Sequence, residues 1–289
     1  MEHFPVLLAE SLEYLAIRPE GLYVDCTAGL GGHTTAIAQR LTTGRLISLD
    51  RDAESLDLAR SAAAEWADRI TFHHSAFSQL SETLRSLSIS KVDGVLADLG
   101  VSRMQLTAPG RGFTFMQPAP LDMRMDRTQD TTAADIVNGW SERELAKLFV
   151  DYGNERRHTA EKISRAIGRA RPLRDCAVLA SIVASVVPRS GKLHPATRVF
   201  QAIRIATNDE LGQLDALLAQ APDCLASGGR MVVIAFHSLD DLRVKTVFRD
   251  LGRSSRARVL TRHVVKPGLS ETRQNPASRS AVLRALEML

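Results

Sequence analysis

Four short apolar segments in the first hundred residues alternate with helix-like stretches, and this alternation constrains the fold more than any other feature. Such alternation is typical of a parallel sheet whose strands are joined by helical crossovers. A fifth apolar segment follows the turn Ser227-Gly228-Gly229. We therefore expect an α/β fold on an open, mostly parallel sheet. The five predicted strands span residues 22–27, 45–50, 70–74, 92–98 and 231–236.

The interval between the fourth and fifth strands is too long for a simple crossover. Residues 99–230 number 132, whereas a crossover with its helix needs roughly 30. Because the apolar residues in this interval recur with helical spacing, we predict an inserted helical domain at residues 104–196. Residues 1–103 and 197–289 then form the sheet domain. After the insert we predict a helix through Leu211, Leu214, Leu218 and Leu225, a helix at 238–251, and strands at 258–265 and 280–286.

Composition disfavours several classes of protein. No run approaches the roughly 20 apolar residues of a membrane helix, and residues 1–5 lack the basic and apolar regions of a signal peptide. The three cysteines are scattered, and His73-His74 has no further ligand at useful spacing, so neither a disulfide framework nor a metal site is expected. These features favour a cytoplasmic protein.

Positive charge is concentrated at the end of the chain. From Arg243 onward there are 11 Lys and Arg residues against 3 Asp and Glu, whereas residues 1–242 contain 26 against 30. Two interpretations stay open: a solvated basic face, or a surface that contacts nucleic-acid phosphates. The second predicts phosphate contacts at Arg253, Arg256 and Arg258.

A glycine-rich turn follows the first predicted strand and precedes a helix. It reads Asp25-Cys26-Thr27-Ala28-Gly29-Leu30-Gly31-Gly32-His33, and its glycines would let the backbone approach a ligand closely. Asp50 ends the second strand, the position from which a carboxylate accepts hydrogen bonds from ribose hydroxyls. Together the two features favour a cofactor that contains a nucleoside.

The same turn discriminates between cofactors. It departs from the dinucleotide pattern G-x-G-x-x-G, and Asp25 would repel a pyrophosphate, whereas it could face the ammonium group of S-adenosylmethionine. The residues therefore favour S-adenosylmethionine over NAD, and a NAD-dependent oxidoreductase stays open as the alternative. Phe77, after the third strand, is either a stacking partner for adenine or an ordinary core residue. Asp98-Leu99-Gly100, after the fourth, is either the place where a methyl group is transferred or a simple turn.

Ten blocks of sequence follow one another along nearly the whole chain. The chain resembles, in these blocks, the bacterial small-subunit ribosomal RNA (cytosine-N4) methyltransferases. The blocks are His3-Phe4-Pro5-Val6-Leu7-Leu8, Asp25 to His33, Asp98-Leu99-Gly100-Val101-Ser102, Gln105-Leu106, Arg111-Gly112-Phe113, Pro120-Leu121-Asp122-Met123-Arg124-Met125-Asp126, His194-Pro195-Ala196-Thr197-Arg198, Phe200-Gln201, Phe236-His237-Ser238-Leu239 and Asn275-Pro276-Ala277-Ser278-Arg279-Ser280.

The resemblance implies a class I, Rossmann-like methyltransferase sheet with an inserted helical substrate-recognition domain. It implies S-adenosylmethionine-dependent N4-methylation of a specific cytidine in the decoding centre of 16S ribosomal RNA. We expect the assembled small subunit as the substrate, because single cytidines are read by shape and context. By the same resemblance, the cofactor contacts fall on Gly31, Gly32, His33, Asp50, Phe77, Asp98 and Gln105.

Asp98 is the predicted catalytic residue, because Asp is the expected partner of a cytosine N4 donor. A non-catalytic RNA-binding or assembly factor stays open as a further alternative. The chain departs from the family pattern at four places, of which Arg103, where a second serine is usual, adjoins the site. The other three are Asn154 for Glu, Ala235 for Ser, and a shorter region before Asn275.

Two histidines and one loop have open roles. His194 and His237 are either RNA contacts or structural residues. Arg111, Arg124 and Arg127 flank a loop with Phe113, Phe115, Met116, Met123 and Met125, whose side chains are expected to pack the insert onto the sheet or, alternatively, to stack on an RNA base.

Overall fold

The computed structural model describes residues 5–108, 110–189 and 194–289, so His3 and Phe4 of the first block lie outside the described residues. The chain divides into two units. The first comprises Met1–Gly100 and Leu211–Leu289, and the second comprises Val101–Glu210. The second unit thus contains the predicted insert and continues beyond it to Glu210. Among the helices described, none is long and apolar enough to span a membrane.

The first unit is built on a seven-stranded sheet of order β3-β2-β1-β4-β5-β7-β6. Strands β1 to β5 are parallel, whereas β7 is antiparallel to both β5 and β6. This is the class I methyltransferase sheet that the sequence predicted, and the fold prediction is confirmed. The strands are β1 (Leu22–Asp25), β2 (Arg45–Asp50), β3 (Ile70–His74), β4 (Val92–Asp98), β5 (Leu225–Ala235), β6 (Ala257–Val259) and β7 (Val282–Met288).

Helices cover both faces of this sheet, as a parallel sheet requires. Successive residues of a strand point to opposite faces: Val24 belongs to one buried cluster with Leu214 and Phe248, whereas its neighbour Tyr23 belongs to another with Leu12. The helices of this unit, numbered in chain order, are α1 (Leu8–Leu15), α2 (Gly32–Ala38), α3 (Ala53–Ala62), α4 (Leu80–Ser86), α11 (Glu210–Cys224), α12 (Ser238–Arg253) and α13 (Leu269–Gln274).

The second unit is helical, and its helices begin at recognisable caps. Ser141 and Glu144 form a capping box that starts one helix, in which each side chain binds the other residue's backbone N–H. Phe149, Ile163 and Leu179 meet in its core, and the predicted helical periodicity is confirmed there. The helices are α5 (Arg103–Thr107), α6 (Ala133–Gly139), α7 (Glu142–Asp151), α8 (Arg157–Ala170), α9 (Cys176–Val186) and α10 (Ala196–Thr207).

Two predicted boundaries in the first unit are wrong. Leu225, assigned to the end of a helix, is the first residue of β5 because it pairs with Val92, and the predicted turn at 227–229 lies inside β5, where its register with β4 shifts. The predicted strand 258–265 is only β6 and an isolated bridge at Val265. A short apolar run is compatible with either a helix or a strand, so periodicity could not decide these boundaries.

Candidate functional site

Asp50 and Asp98 flank the glycine-rich loop at the carboxyl edge of the parallel strands. Asp25, the last residue of β1, pairs with Ser48 in β2 and with Leu96 in β4, so Asp50 and Asp98 each lie two residues further along. Because β1 separates their strands, their Cα atoms are about 10 Å apart, two strand spacings. The strand order reverses between β1 and β4, the position at which open α/β sheets bind ligands.

The Asp50 carboxylate is held by the loop and still has acceptor positions left. Its two oxygens accept the N–H of Gly29 at 2.8 Å and the N–H of Asp52 at 2.9 Å. Each oxygen can accept a second hydrogen bond. Burial raises the pKa of Asp50 to about 6, and these two backbone bonds oppose the rise. At neutral pH the side chain is therefore an oriented anion that can receive a pair of neighbouring hydroxyls.

The glycines of the loop differ in what their missing side chains permit. Gly29 has φ +53°, and an added Cβ would approach one carbonyl oxygen only to 3.8 Å, so open space lies beside it. At Gly31, φ +85°, the Cβ would lie 3.0 Å from the Cα of Ala59 in α3, and at Gly32 it would overlap Pro5. Close packing alone therefore requires glycine at positions 31 and 32, both of which are predicted cofactor contacts.

One carboxylate oxygen of Asp98 has no hydrogen-bond partner in the described part of the chain. Its N–H donates to Oγ1 of Thr27 at 2.7 Å, and its Oδ2 lies 3.7 Å from Nδ1 of His33. Its Oδ1 is buried and has no hydrogen-bond partner among the residues that the structure describes. Although the side chain is 23 % exposed, burial and the negative charge of Asp25 raise its pKa well above the usual range. Buried acceptors are nearly always paired, so an unpaired one at a ligand-binding edge is typical of a site that completes its bonds with a ligand.

His33 lies behind Asp98. Its side chain is 5 % exposed, and its Nε2 lies 3.2 Å from the carbonyl oxygen of Val6. A ring nitrogen that faces a carbonyl carries the proton, so in the neutral imidazole Nδ1 is an acceptor directed at Asp98. His33 therefore lies beside the Asp98 carboxyl, but the 3.7 Å between Nδ1 and Oδ2 is longer than a hydrogen bond.

Asp25 is turned into the protein. It is fully buried, and its two oxygens accept the Thr34 hydroxyl at 2.6 Å and the N–H of Thr27 at 3.1 Å. Burial raises its pKa to about 6. Since Asp25 has no exposed surface, the suggested contact between Asp25 and an ammonium group of the cofactor is not supported.

The last two predicted contacts lie in different units. Phe77 is the first residue of a short 3-10 turn after β3. Its side chain is partly exposed, and the remainder packs against the hydrophobic core. Gln105 belongs to the second unit and is buried. Its Oε1 accepts the N–H of Ser102 at 3.0 Å in the capping box of α5, so this oxygen is used to start the helix.

The two histidines with open roles both have structural contacts. Nδ1 of His194 accepts the N–H of Ala196 at 3.1 Å, at the start of α10, and its ring packs 4.8 Å from that of Phe115. His237 follows β5, and its Nδ1 lies 3.2 Å from Oδ2 of the buried Asp240. These contacts favour the structural interpretation for His194, whereas the role of His237 stays open.

The loop with aromatic and Met residues is held from within the second unit. Arg111 is buried and donates to the carbonyl oxygens of Arg124 and Met125. Phe113 and Met123 belong to the core of this unit. These side chains pack among the helices of their own unit, which disfavours base stacking for them, and the packing of this loop onto the sheet stays a prediction.

Sequence reasoning missed the role of the N-terminal segment. Pro5 packs on Gly32, the carbonyl of Val6 faces His33, and the N–H of Leu7 donates to Oε1 of Glu271 at 2.9 Å. The first block of the resemblance was the one signal in the sequence for this segment. The N-terminal segment thus contacts Gly32 and His33, and His33 is the residue next to Asp98.

Comparison with known proteins agrees with this geometry. The model of the MraW methylase family matches residues 1–289. A ribosomal RNA small subunit methyltransferase H of Solibacter usitatus is 57 % identical over 286 residues, covering 99 % of both chains. Proteins of the same name from Acidobacterium capsulatum and a Cyanothece species are 45 % and 46 % identical, covering 99 % of this chain and 98 % and 95 % of theirs. The chain therefore belongs to the MraW methylase family: it is a methyltransferase, and its methyl donor is S-adenosylmethionine.

Proposed function

We propose that this chain methylates N4 of a specific cytidine in the decoding centre of 16S ribosomal RNA, in the assembled small subunit. The relatives named as small-subunit ribosomal RNA methyltransferases support the choice of RNA. The observation that carries the choice of atom is the unpaired, buried Oδ1 of Asp98. An exocyclic amine supplies the N–H donor that this oxygen lacks, and a carboxylate is the partner expected for cytosine N4.

The residues around the glycine-rich loop fit the methyl donor. When bound, S-adenosylmethionine supplies an electrophilic methyl group on a sulfonium. We assign the ribose hydroxyls to the Asp50 carboxylate, which has one acceptor position left on each oxygen. The exposed part of Phe77 covers the adenine, and the open space beside Gly29 admits the ligand to the backbone. Gly31 and Gly32 shape the loop, and Gln105 stays a prediction carried by the resemblance.

Asp98 prepares the amine and then receives its proton. The N4 lone pair is conjugated into the cytosine ring, and an N–H bond to Oδ1 turns the amine so that this lone pair can leave conjugation. As the N–C bond forms and sulfur keeps the electron pair of the broken C–S bond, positive charge develops on nitrogen, and the carboxylate stabilises it. The proton then passes to Asp98, whose raised pKa makes it a better acceptor. The base must leave its stack to reach this position.

His33 acts through Asp98 and is a positioning residue. Its Nδ1 lies 3.7 Å from Oδ2 of Asp98, on the side away from the unpaired oxygen. Held by the carbonyl of Val6, the ring stays next to the carboxyl and offers an acceptor for the proton that Asp98 gains. The proton can leave the site by this path before the next turnover.

We assign RNA positioning to the second unit. We propose that S-adenosylmethionine binds to the loop after β1, to Asp50 and to Phe77. All of these belong to the first unit. Replacing the second unit, residues 101–210, by a short linker should therefore abolish methylation while calorimetry still detects S-adenosylmethionine. Methylation of small subunits by such a protein would show that the RNA is recognised elsewhere.

Nucleoside mass spectrometry of small-subunit RNA tests the proposed function. Cells that lack this gene should lose one N4-methylated cytidine, and the gene, but not its Asp98→Asn variant, should restore it. An unchanged content of N4-methylated cytidine in the gene-less cells would exclude the function proposed here.

A further inference from the structure

The basic residues of the tail fall into two groups that differ in ion pairing. Arg256 pairs with Asp223 at 2.6 Å and Arg258 with Glu287 at 2.7 Å, while Arg253 lies 4.0 Å from Asp250. We name residues 261–280 the basic segment. Its exposed cationic side chains, none of which forms an ion pair with a residue in the described ranges, are Arg262, Lys266, Arg273 and Arg279.

The register of the sheet places the basic segment at the edge where Asp98 lies. Asp98 pairs with Ile234 in β5, and Ile234 pairs with Leu283 in β7. Leu283 in turn forms a bridge with Val265 of the basic segment, through hydrogen bonds of 2.9 and 3.1 Å. Val265 is therefore level with Asp98 and about 14 Å from it, three strand spacings.

The paired arginines lie towards the opposite edge. Arg258 in β6 is level with Glu287 in β7, and Glu287 is level with Arg230 in β5. Arg230 precedes Ile234, the partner of Asp98, by four residues, which is about 13 Å along a strand. Arg258 thus lies in an ion pair away from the site, whereas the basic segment, with its unpaired cations, lies at the edge of the site.

A second set of contacts ties the basic segment to the site. Glu271, in α13, accepts the N–H of Leu7 at 2.9 Å, and the neighbouring Val6 carbonyl faces His33, which lies next to Asp98. Glu271 is the one acidic residue of the segment. No ion pair within the described ranges joins its carboxylate to a cation of the segment.

The block Asn275-Pro276-Ala277-Ser278-Arg279-Ser280 forms the turn that leads from α13 into β7. Ser278 is fully buried, and its hydroxyl donates to the carbonyl of Asn275 at 2.8 Å. This bond holds a 3-10 turn, Pro276–Ser280, from which Arg279 projects exposed immediately before the carboxyl-edge end of β7. The motif therefore presents a cation beside the site.

We propose that Lys266, Arg273 and Arg279 contact RNA phosphates that flank the target nucleotide, and that Arg253, Arg256 and Arg258 do not. The proposal rests on the proposed function for the nature of the polymer. Cations without a protein partner are the ones that release counterions from phosphates on binding, whereas an arginine already paired with a carboxylate gains less. The sequence-based expectation for Arg253, Arg256 and Arg258 is thereby replaced.

Two triple variants that each remove three positive charges test the proposal. One carries Lys266→Ala, Arg273→Ala and Arg279→Ala, and the other, the matched control, carries Arg253→Ala, Arg256→Ala and Arg258→Ala. The probe is protein-free small-subunit RNA, bound at several salt concentrations. For the first variant, the slope of log affinity against log salt should fall by about 2, or roughly 0.7 per single-strand phosphate contact. The affinity at 0.15 M salt should fall about 10- to 100-fold, while the control keeps the slope of the parent.

Each other result has a defined meaning. Equal changes of slope in the two variants would overturn the proposal, since charge alone would then explain the binding. Lost methylation of small subunits with an unchanged slope on free RNA would also overturn it, because the segment would then contact a ribosomal protein. If the slopes differ as expected but the parent protein methylates no small-subunit cytidine, the proposed function fails and the phosphate surface stands. Calorimetry with S-adenosylmethionine checks that both variants are folded.

Discussion

The carboxylates at the ends of β2 and β4 are both partly buried, but their bonding differs. Asp50 accepts a backbone N–H on each oxygen, whereas Asp98 leaves Oδ1 without a partner in the described part of the chain. Burial raises the pKa of both, to about 6 for Asp50 and well above the usual range for Asp98. A carboxylate fixed by the backbone suits a ligand that is held in one pose. An unpaired one suits a group whose charge changes during reaction.

The largest effect is expected from Asp98→Asn, which should slow methyl transfer and leave cofactor binding nearly unchanged. The amide keeps the size and one acceptor but loses the charge, so single-turnover methylation of small subunits should slow by roughly 10²–10³, as when one electrostatic stabiliser is removed. The affinity for S-adenosylmethionine, measured by calorimetry, should change far less. A rate within about threefold of the parent, under 1 kcal/mol of barrier, would leave Asp98 a binding residue only.

Asp50→Ala should give the reverse pattern. Removing an acceptor of two hydroxyls leaves them unpaired and costs roughly 1.5–3 kcal/mol. The affinity for S-adenosylmethionine should fall about 10- to 100-fold, whereas the single-turnover rate at saturating cofactor should stay close to that of the parent. Unchanged affinity in the calorimeter would remove Asp50 from the site.

The pH dependence of cofactor binding should follow Asp50 as well. With a pKa of about 6, the carboxylate is ionised at pH 7 and protonated at pH 5, so it loses acceptor strength as pH falls. Affinity should drop by about tenfold over this range if only the ionised form accepts the ribose, from the ionised fraction. Asp25 also has a pKa near 6, so Asp50→Asn is the necessary control. A drop that persists in Asp50→Asn would assign the effect to another group.

Much of this arrangement could be predicted from the sequence because it is local. The strand at 45–50 was predicted with the bounds of β2, and Asp50 and Asp98 were placed at strand ends, since an apolar run that closes on a polar residue marks the end of a strand. The glycine-rich loop was also recognised from its local sequence, because it directly follows a predicted strand. The parallel α/β sheet followed from alternation, and the class I methyltransferase sheet followed from the resemblance.

The rest depends on contacts between residues distant in sequence, which periodicity does not encode. The bond between Leu7 and Glu271 joins residues 264 positions apart. The ion pairs of Arg256 and Arg258 involve partners 33 and 29 positions away, so the sequence could count the charge of the tail but could not say which residues form ion pairs. Likewise, the glycine motif did not reveal that Gly31 and Gly32 are needed for packing.

The central claim is that the unpaired oxygen of Asp98 receives an exocyclic amine, and the position of the transferred methyl group tests it most directly. Purified protein, unmethylated small subunits and labelled S-adenosylmethionine are incubated, and the RNA is digested and resolved by chromatography and mass spectrometry. Our account predicts a single labelled nucleoside, N4-methylated cytidine, whose yield falls with Asp98→Asn. Label on a ring carbon or on a ribose hydroxyl, with the amine unmodified, would contradict it.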